Sequence, residues 1–325
     1  MTSLHLKYAE FAGWPEALWV QGDRMELILV PQVGGRIMGL RWEAQDVFWV
    51  NAALAGKAVD VQSLQNPAVE KETLGFLLWG GNKTWLAPQE HWQRALPFVD
   101  LDSGTYDVEI LENTTSQIKI ALTSPICRES WMRITRILTM NTHCWSITHL
   151  LENRGDRAVR WGAWSNSMVR RPAQVFLPLG QSSAFTEGVK TFAHEGESLE
   201  VRSRVVSHNQ DMAGVQCEIP VKFKFGVDSD RGIVLTVIPL ATGGYLGWVS
   251  QFATDPAESY GHGCTAEVFN AAAHDYLEVE VHSPVRSLEP GKSFTFTENN
   301  RLVTLDAFPT RASDINALQL LGELC

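Results

Sequence analysis

Apolar and polar residues alternate along most of this chain with the two-residue period of strands that bury one face. Met25 to Val30 and Arg36 to Trp42 read as two strands joined across PQVGG, where a proline and a Gly-Gly pair make the turn. Tyr106 to Leu111 and Gln117 to Leu122 flank the polar turn ENTTS. Met132 to Met140 and Trp145 to Glu152 pair around NTH, and Ala158 to Trp164 follows a turn at Asn153 to Asp156. Further strands are expected at Val221 to Phe225, Gly232 to Pro239, Ala266 to Phe269, Tyr276 to His282 and Ser293 to Leu302. Strands at this spacing, joined by hairpin turns, predict an all-β fold, a large antiparallel sandwich.

Two segments carry a helical pattern. Asn66 to Glu72 is short. Ser313 to Leu324 places Ile315, Leu318, Leu321 and Leu324 on one face, with Ser313 or Asp314 as cap, and reads as a helix docked on the sandwich. No linker or shift in composition divides the chain, so one domain is expected over residues 1–325, with its core at about 25–303 and the helix at about 313–324. The stretch 178–210 lacks periodicity and reads either as a lid or as a surface excursion.

Composition narrows the function. With 325 residues, 45% hydrophobic and 20% charged, the chain can bury a large core. A net charge of −10 argues against nucleic acid or an anionic membrane surface as partner, because both require clustered cations. No apolar run reaches the roughly 18 residues of a membrane span, and the N-terminus lacks a basic segment followed by an apolar one. Five scattered cysteines without a CxxC pair are expected to be reduced thiols, which points to a cytoplasmic protein.

Candidate chemistry concentrates in LWGGNKTWLAPQEHW, Leu78 to Trp92, which combines three tryptophans, a Gly-Gly pair, a lysine and a histidine. Aromatic rings beside polar side chains suit a ligand with an apolar face and a rim of hydroxyls, as a sugar ring has. The same rings equally build a core. Trp79, Trp85, Trp92 and Trp164 are the stacking candidates, some of which must be core, and Arg36, Asn82 and Lys83 are the candidate donors. Glu267 lies between Ala266 and Val268 on a strand and so points away from them, as a base in a cleft would. His91 and His262 are imidazoles on loops near these segments, suited to proton transfer near neutrality. In YLEVEVH, Tyr276, Glu278, Glu280 and His282 share one face; two carboxylates and an imidazole there suit a polar site, and the favoured reading is the wet side of an antiparallel sheet. No HExxH, CxxC, EF-hand, GxSxG or GxGxxG context occurs, so no metal or cofactor is expected.

The order of several segments resembles the galactose mutarotase-like superfamily. ELILVPQVGGRIMGLRW resembles its first hairpin, LWGGNKTWLAP its Gly-Gly substrate loop, and THLLENRGDRAVRWGAW the strand–turn–strand before its catalytic histidine. CTAEVFNAAAHDYLEVEVHSPVRSLEPGKSFTFTENNRLV resembles its closing hairpin, and the likeness covers about Met25 to Val303. The resemblance implies a β-supersandwich that binds a sugar and epimerises it by acid–base ring opening, with Glu267 as base. The family's catalytic histidine would fall near Ser165 or Asn166, and its second one at Trp79; neither position holds a histidine. His91 or His262 would then supply the acid. Loss of the usual histidine equally fits a carbohydrate sensor without catalysis. A third reading, glycan cleavage, would pair Glu267 with Glu278 or Glu280. The expected partner is a small sugar or sugar derivative.

Overall fold

The computed structural model describes residues 3–192, 199–209 and 211–319. Among these, the strands form two antiparallel sheets, one of twelve strands and one of ten. The fold is therefore the expected large antiparallel sandwich. The hairpins read from the sequence pair as hairpins: Met25–Val30 with Arg36–Trp42, Asp107–Asn113 with Gln117–Thr123, and Met132–Asn141 with Cys144–Asn153. The larger sheet starts well before Met25, with His5–Phe11 and Trp14–Gln21 forming its edge. Pro67–Leu74 and Ala312–Gln319 are helical; Leu321 and Leu324 of the expected second helix lie outside the described residues.

The centre of the larger sheet runs Arg36–Trp42, Asn82–Ala87, Val159–Arg170, Tyr276–His282, Ala266–Asn270 and Phe223–Val227. Alternation gives each strand two distinct faces. Phe223, Phe225, Ala266, Val268, Leu277, Val279 and Val281 enter the main core, together with Ile118, Ile120, Ile134 and Ile147 of the smaller sheet. Burial of these side chains drives the sheets together, at about 1.5–3 kcal/mol for each large aliphatic or aromatic group removed from water.

One part of this inner layer is polar. Arg136 bonds the side chain of Asn82 and the carbonyl of Gly35, and Asn82 donates to Ser165 and Ser167 at 3.0 and 2.9 Å. Thr84 meets Nδ1 of His149 at 2.8 Å, and Ser165 donates to Glu298 at 2.7 Å, beside Nε2 of His149 at 3.2 Å. These contacts stitch the Asn82–Ala87 and Val159–Arg170 strands to the opposite sheet, with each member bonded to a partner.

Cys127, Cys217 and Cys264 are free and buried, whereas Cys144 is disulfide-bonded. The expectation of reduced thiols throughout is corrected at Cys144, and thiol count ceases to argue for a compartment. Among the described residues, no helix is long and apolar enough to cross a membrane.

Candidate functional site

Because Asn82, Thr84, Ser165 and Ser167 face the opposite sheet, the residues alternating with them face outward. Cross-strand pairing then sets one continuous outer row. Trp85 pairs with Trp164 and Lys83 with Asn166; Trp164 pairs with His282 and Asn166 with Glu280. Glu280 pairs with Glu267, which pairs with Gly226 one turn of the pleat from Lys224. Two carboxylates and an imidazole thus come together from strands that are adjacent in space.

Lys224 sits between the carboxylates, with Nζ 2.6 Å from Oε2 of Glu267 and 2.8 Å from Oε2 of Glu280. Trp164 donates its indole N–H to Glu280 at 2.7 Å. Nδ1 of His262 lies 3.0 Å from Oε1 of Glu267, and Nε2 of His282 lies 3.5 Å from that same oxygen. Glu267, Glu280 and His282 are fully buried, while the side chain of His262 keeps 13% exposure. His262 occupies a left-handed backbone conformation, φ 58°, between Gly261 and Gly263. Such a conformation is uncommon for a residue with a side chain and occurs preferentially where function holds it. Gly226 makes room for the carboxylate: a Cβ there would stand 2.5 Å from Sγ of Cys264 and 3.2 Å from Cγ of Glu267.

The two carboxyls titrate in opposite directions. Burial opposes ionisation of Glu267, yet Lys224, His282 and His262 together hold it well below the usual carboxylate range. Burial pushes Glu280 well above that range, against the pull of Lys224 and with the help of the Glu267 and Glu278 charges. Burial likewise lowers the pKa of His282, favouring the neutral ring. Divergent environments for neighbouring carboxyls are a mark of proton-transfer sites.

A second outer group adjoins the first. Nζ of Lys83 lies 3.6 Å from Oε1 of Glu278 and 3.8 Å above the Trp85 ring, and Asn166 donates to Glu278 at 2.9 Å. Trp92 stacks on Trp164 at 5.6 Å, and Trp85 meets Trp164 edge-on at 5.0 Å.

The residues singled out from the sequence fall into three places. Glu267, His262, Lys83, Trp85, Trp92 and Trp164 belong to this outer assembly. Arg36 is buried beneath it, paired with Asp102 at 2.7 Å, so it is not a free donor. Asn82 faces inward. Trp79 belongs to a separate apolar cluster with Phe11, Trp14 and Met38, and its N–H bonds Ser103. His91 sits exposed on a short turn, edge-on to the Trp161 ring at 5.6 Å. The Gly-Gly pair is structural: a Cβ on Gly80 would stand 2.2 Å from the carbonyl of Trp49, and one on Gly81 2.5 Å from that of Ile37.

The reading of Tyr276, Glu278, Glu280 and His282 as a wet face is corrected, since every residue of that strand is buried. The alternation was right, but covering segments and ion pairing close that face. Lys224 escaped the sequence reading, and His282 was placed on that strand face without its contact to Glu267. The available signal was alternation in VKFKFG and YLEVEVH, which places both opposite apolar neighbours.

Neither a family profile nor a curated protein matches this chain. Solved structures do. A candidate aldose 1-epimerase from Klebsiella pneumoniae superposes with TM-score 0.61 at 12% identity, over 97% of this chain and 85% of that one. The Slr1438 protein from Synechocystis sp. PCC 6803 gives 0.55 at 13% identity, over 92% of this chain and all of the other. A galactose mutarotase-like protein from Lactobacillus casei gives 0.54 at 7% identity, over 88% and 100%. At these identities the likeness establishes the fold, which is galactose mutarotase-like.

Proposed function

We propose that this chain is a carbohydrate-binding protein that interconverts the anomers of an aldose or aldose derivative by proton transfer at the Glu267–His262 pair. The observation that carries the reading is the 3.0 Å contact between the buried Glu267 carboxylate and Nδ1 of His262 on the outer face of a mutarotase-like sheet. A carboxylate accepting from Nδ1–H fixes the tautomer, which leaves Nε2 as the basic nitrogen. Nε2 takes the proton from the anomeric hydroxyl as C1=O forms and the bond from C1 to the ring oxygen breaks. The imidazolium, steadied by Glu267, then delivers that proton to the ring oxygen. Reclosure on either face of the carbonyl reverses the steps, and no proton is gained or lost overall. Glu267 is a positioning residue in this scheme: both its oxygens are engaged, and His262 carries the proton. Lys83, Asn166 and Glu278 supply the neighbouring hydrogen-bonding groups, and Trp85 and Trp164 the apolar side.

Following anomeric ratios by NMR after dissolving single anomers of free sugars, sugar phosphates and sugar acids tests the proposal. Exchange above the solvent rate that vanishes in His262→Ala supports it; exchange unaffected by that substitution overturns it. The complete burial of Glu267 also suits a second reading, a sensor that binds sugar without turnover. A ligand-dependent rise in melting temperature without anomer exchange would select that reading.

A further inference from the structure

We propose that His262, Glu267 and His282 form a binding site for one first-row divalent transition metal of the zinc class. One donor atom from each residue lies within 4.8 Å of the other two. Oε1 of Glu267 is 3.0 Å from Nδ1 of His262 and 3.5 Å from Nε2 of His282. Ligands bound about 2.0–2.2 Å from a tetrahedral zinc ion stand roughly 3–3.5 Å apart, so these two spacings already fit a shared ion.

His282 supplies an independent reason. Both its ring nitrogens lack a hydrogen-bond partner although the residue is fully buried. Its plane is fixed by stacking on Trp164, at 5.3 Å and 24°. A neutral imidazole has one donor and one acceptor, and protein interiors seldom leave either unpaired. At 3.5 Å the Glu267 oxygen is too far for a strong hydrogen bond, and an ion between them gives that oxygen and Nε2 of His282 a shared partner, with Nδ1 still unpaired. Lys224 bonds the other carboxylate oxygen, Oε2, and so orients Glu267 with Oε1 towards the rings. Glu280 accepts from the same ammonium at 2.8 Å and so helps to hold Lys224 in place. Two nitrogens and one oxygen suit zinc, cobalt, nickel or iron rather than calcium or magnesium, which prefer all-oxygen cages. Three protein ligands leave at least one position open.

A metal on Nδ1 of His262 replaces that nitrogen's bond to Glu267, so metal occupancy and the proton relay exclude each other. This inhibition rests on the function proposed above; the binding does not. The full chain, stripped with chelator and dialysed, is titrated with Co2+ at neutral pH while its visible spectrum is followed. The expected result is uptake of one equivalent with the absorption of four- or five-coordinate cobalt, reversed by Zn2+. His262→Ala and His282→Ala should each weaken uptake by more than the about 10–100-fold that losing an outer hydrogen-bonding partner costs. His143→Ala, on an exposed turn, should leave uptake unchanged. Absence of uptake, or uptake that survives both ligand substitutions, overturns the site. Melting curves identify folded variants, and the partly exposed His262 keeps the test decisive if His282→Ala does not fold. Anomer exchange that falls in step with zinc loading supports the inhibition, and full exchange in the loaded protein refutes it. If the metal-free protein exchanges no sugar, the proposed function fails while the cobalt titration still decides the site.

Discussion

In the proposed mechanism His262 and Glu267 divide the work of one proton relay between a partly open ring on a left-handed backbone and a buried charge. The division predicts different losses on substitution. His262→Ala should lower the anomer exchange rate by about 10²–10⁴-fold, the usual contribution of a positioned acid–base group, with little change in melting temperature. Glu267→Gln should slow exchange and also destabilise, because it removes the ionised carboxylate that the buried Lys224 ammonium pairs with. Loss of one partner from a buried ion pair costs about 3–5 kcal/mol, which a thermal melt will detect. A melt unchanged by Glu267→Gln would count against an ionised Glu267. Glu267 was legible because one glutamate between two apolar strand residues must face away from the core. Lys224, and the meeting of His282 with Glu267, were harder: no spacing along the chain announces side chains that meet only across strand pairs.

At the scale of elements, period-two alternation located most strands and the hairpins, because most inner faces are apolar enough to stand out. Where it misled, solvent had been assumed to lie on the polar side. The strand Tyr276–His282 is buried on both faces, and the sequence contains no statement of what covers it. The Gly80–Gly81 turn misled in the opposite sense, since a feature that resembles a ligand loop instead lets the backbones of Trp49 and Ile37 approach. Gly81 has φ 67°, so Gly81→Ala would add both backbone strain and a clash at 2.5 Å. That substitution should destabilise by at least about 1–3 kcal/mol, the common cost of overpacking, measured as a shift of the denaturation midpoint. The same change at Gly75, where a Cβ meets nothing within 4 Å, should cost less despite its φ of 63°.

Across the whole molecule, the join between the sheets should respond to acid. His149 is fully buried, and burial lowers its pKa despite the nearby Glu298. Below about pH 6.5 the unfolded chain binds a proton at this ring that the folded protein resists, so the contribution of His149 to stability falls with pH, by up to about 1.4 kcal/mol per pH unit. Subtracting the stability curve of His149→Asn from that of the native protein isolates this contribution from His282, which has the same sign, and from Glu280, which has the opposite one. A difference that stays flat between pH 7 and pH 5 would rule out a buried neutral ring at His149.

The strands Asn82–Ala87 and Val159–Arg170 carry polar side chains on both of their faces. Strand register is ordinarily policed by hydrophobic contrast, since a slip of one residue exposes what should be buried. Here that contrast is weak, and a slip would merely exchange one hydrophilic set for another. Correct alignment must then be proofread by individual fits, above all the guanidinium of Arg136 closing on Asn82 and the carbonyl of Gly35. Removing that clamp would spare most of the apolar core, yet it would release the constraint that keeps Lys83 and Asn166, rather than Asn82 and Ser165, on the outer face.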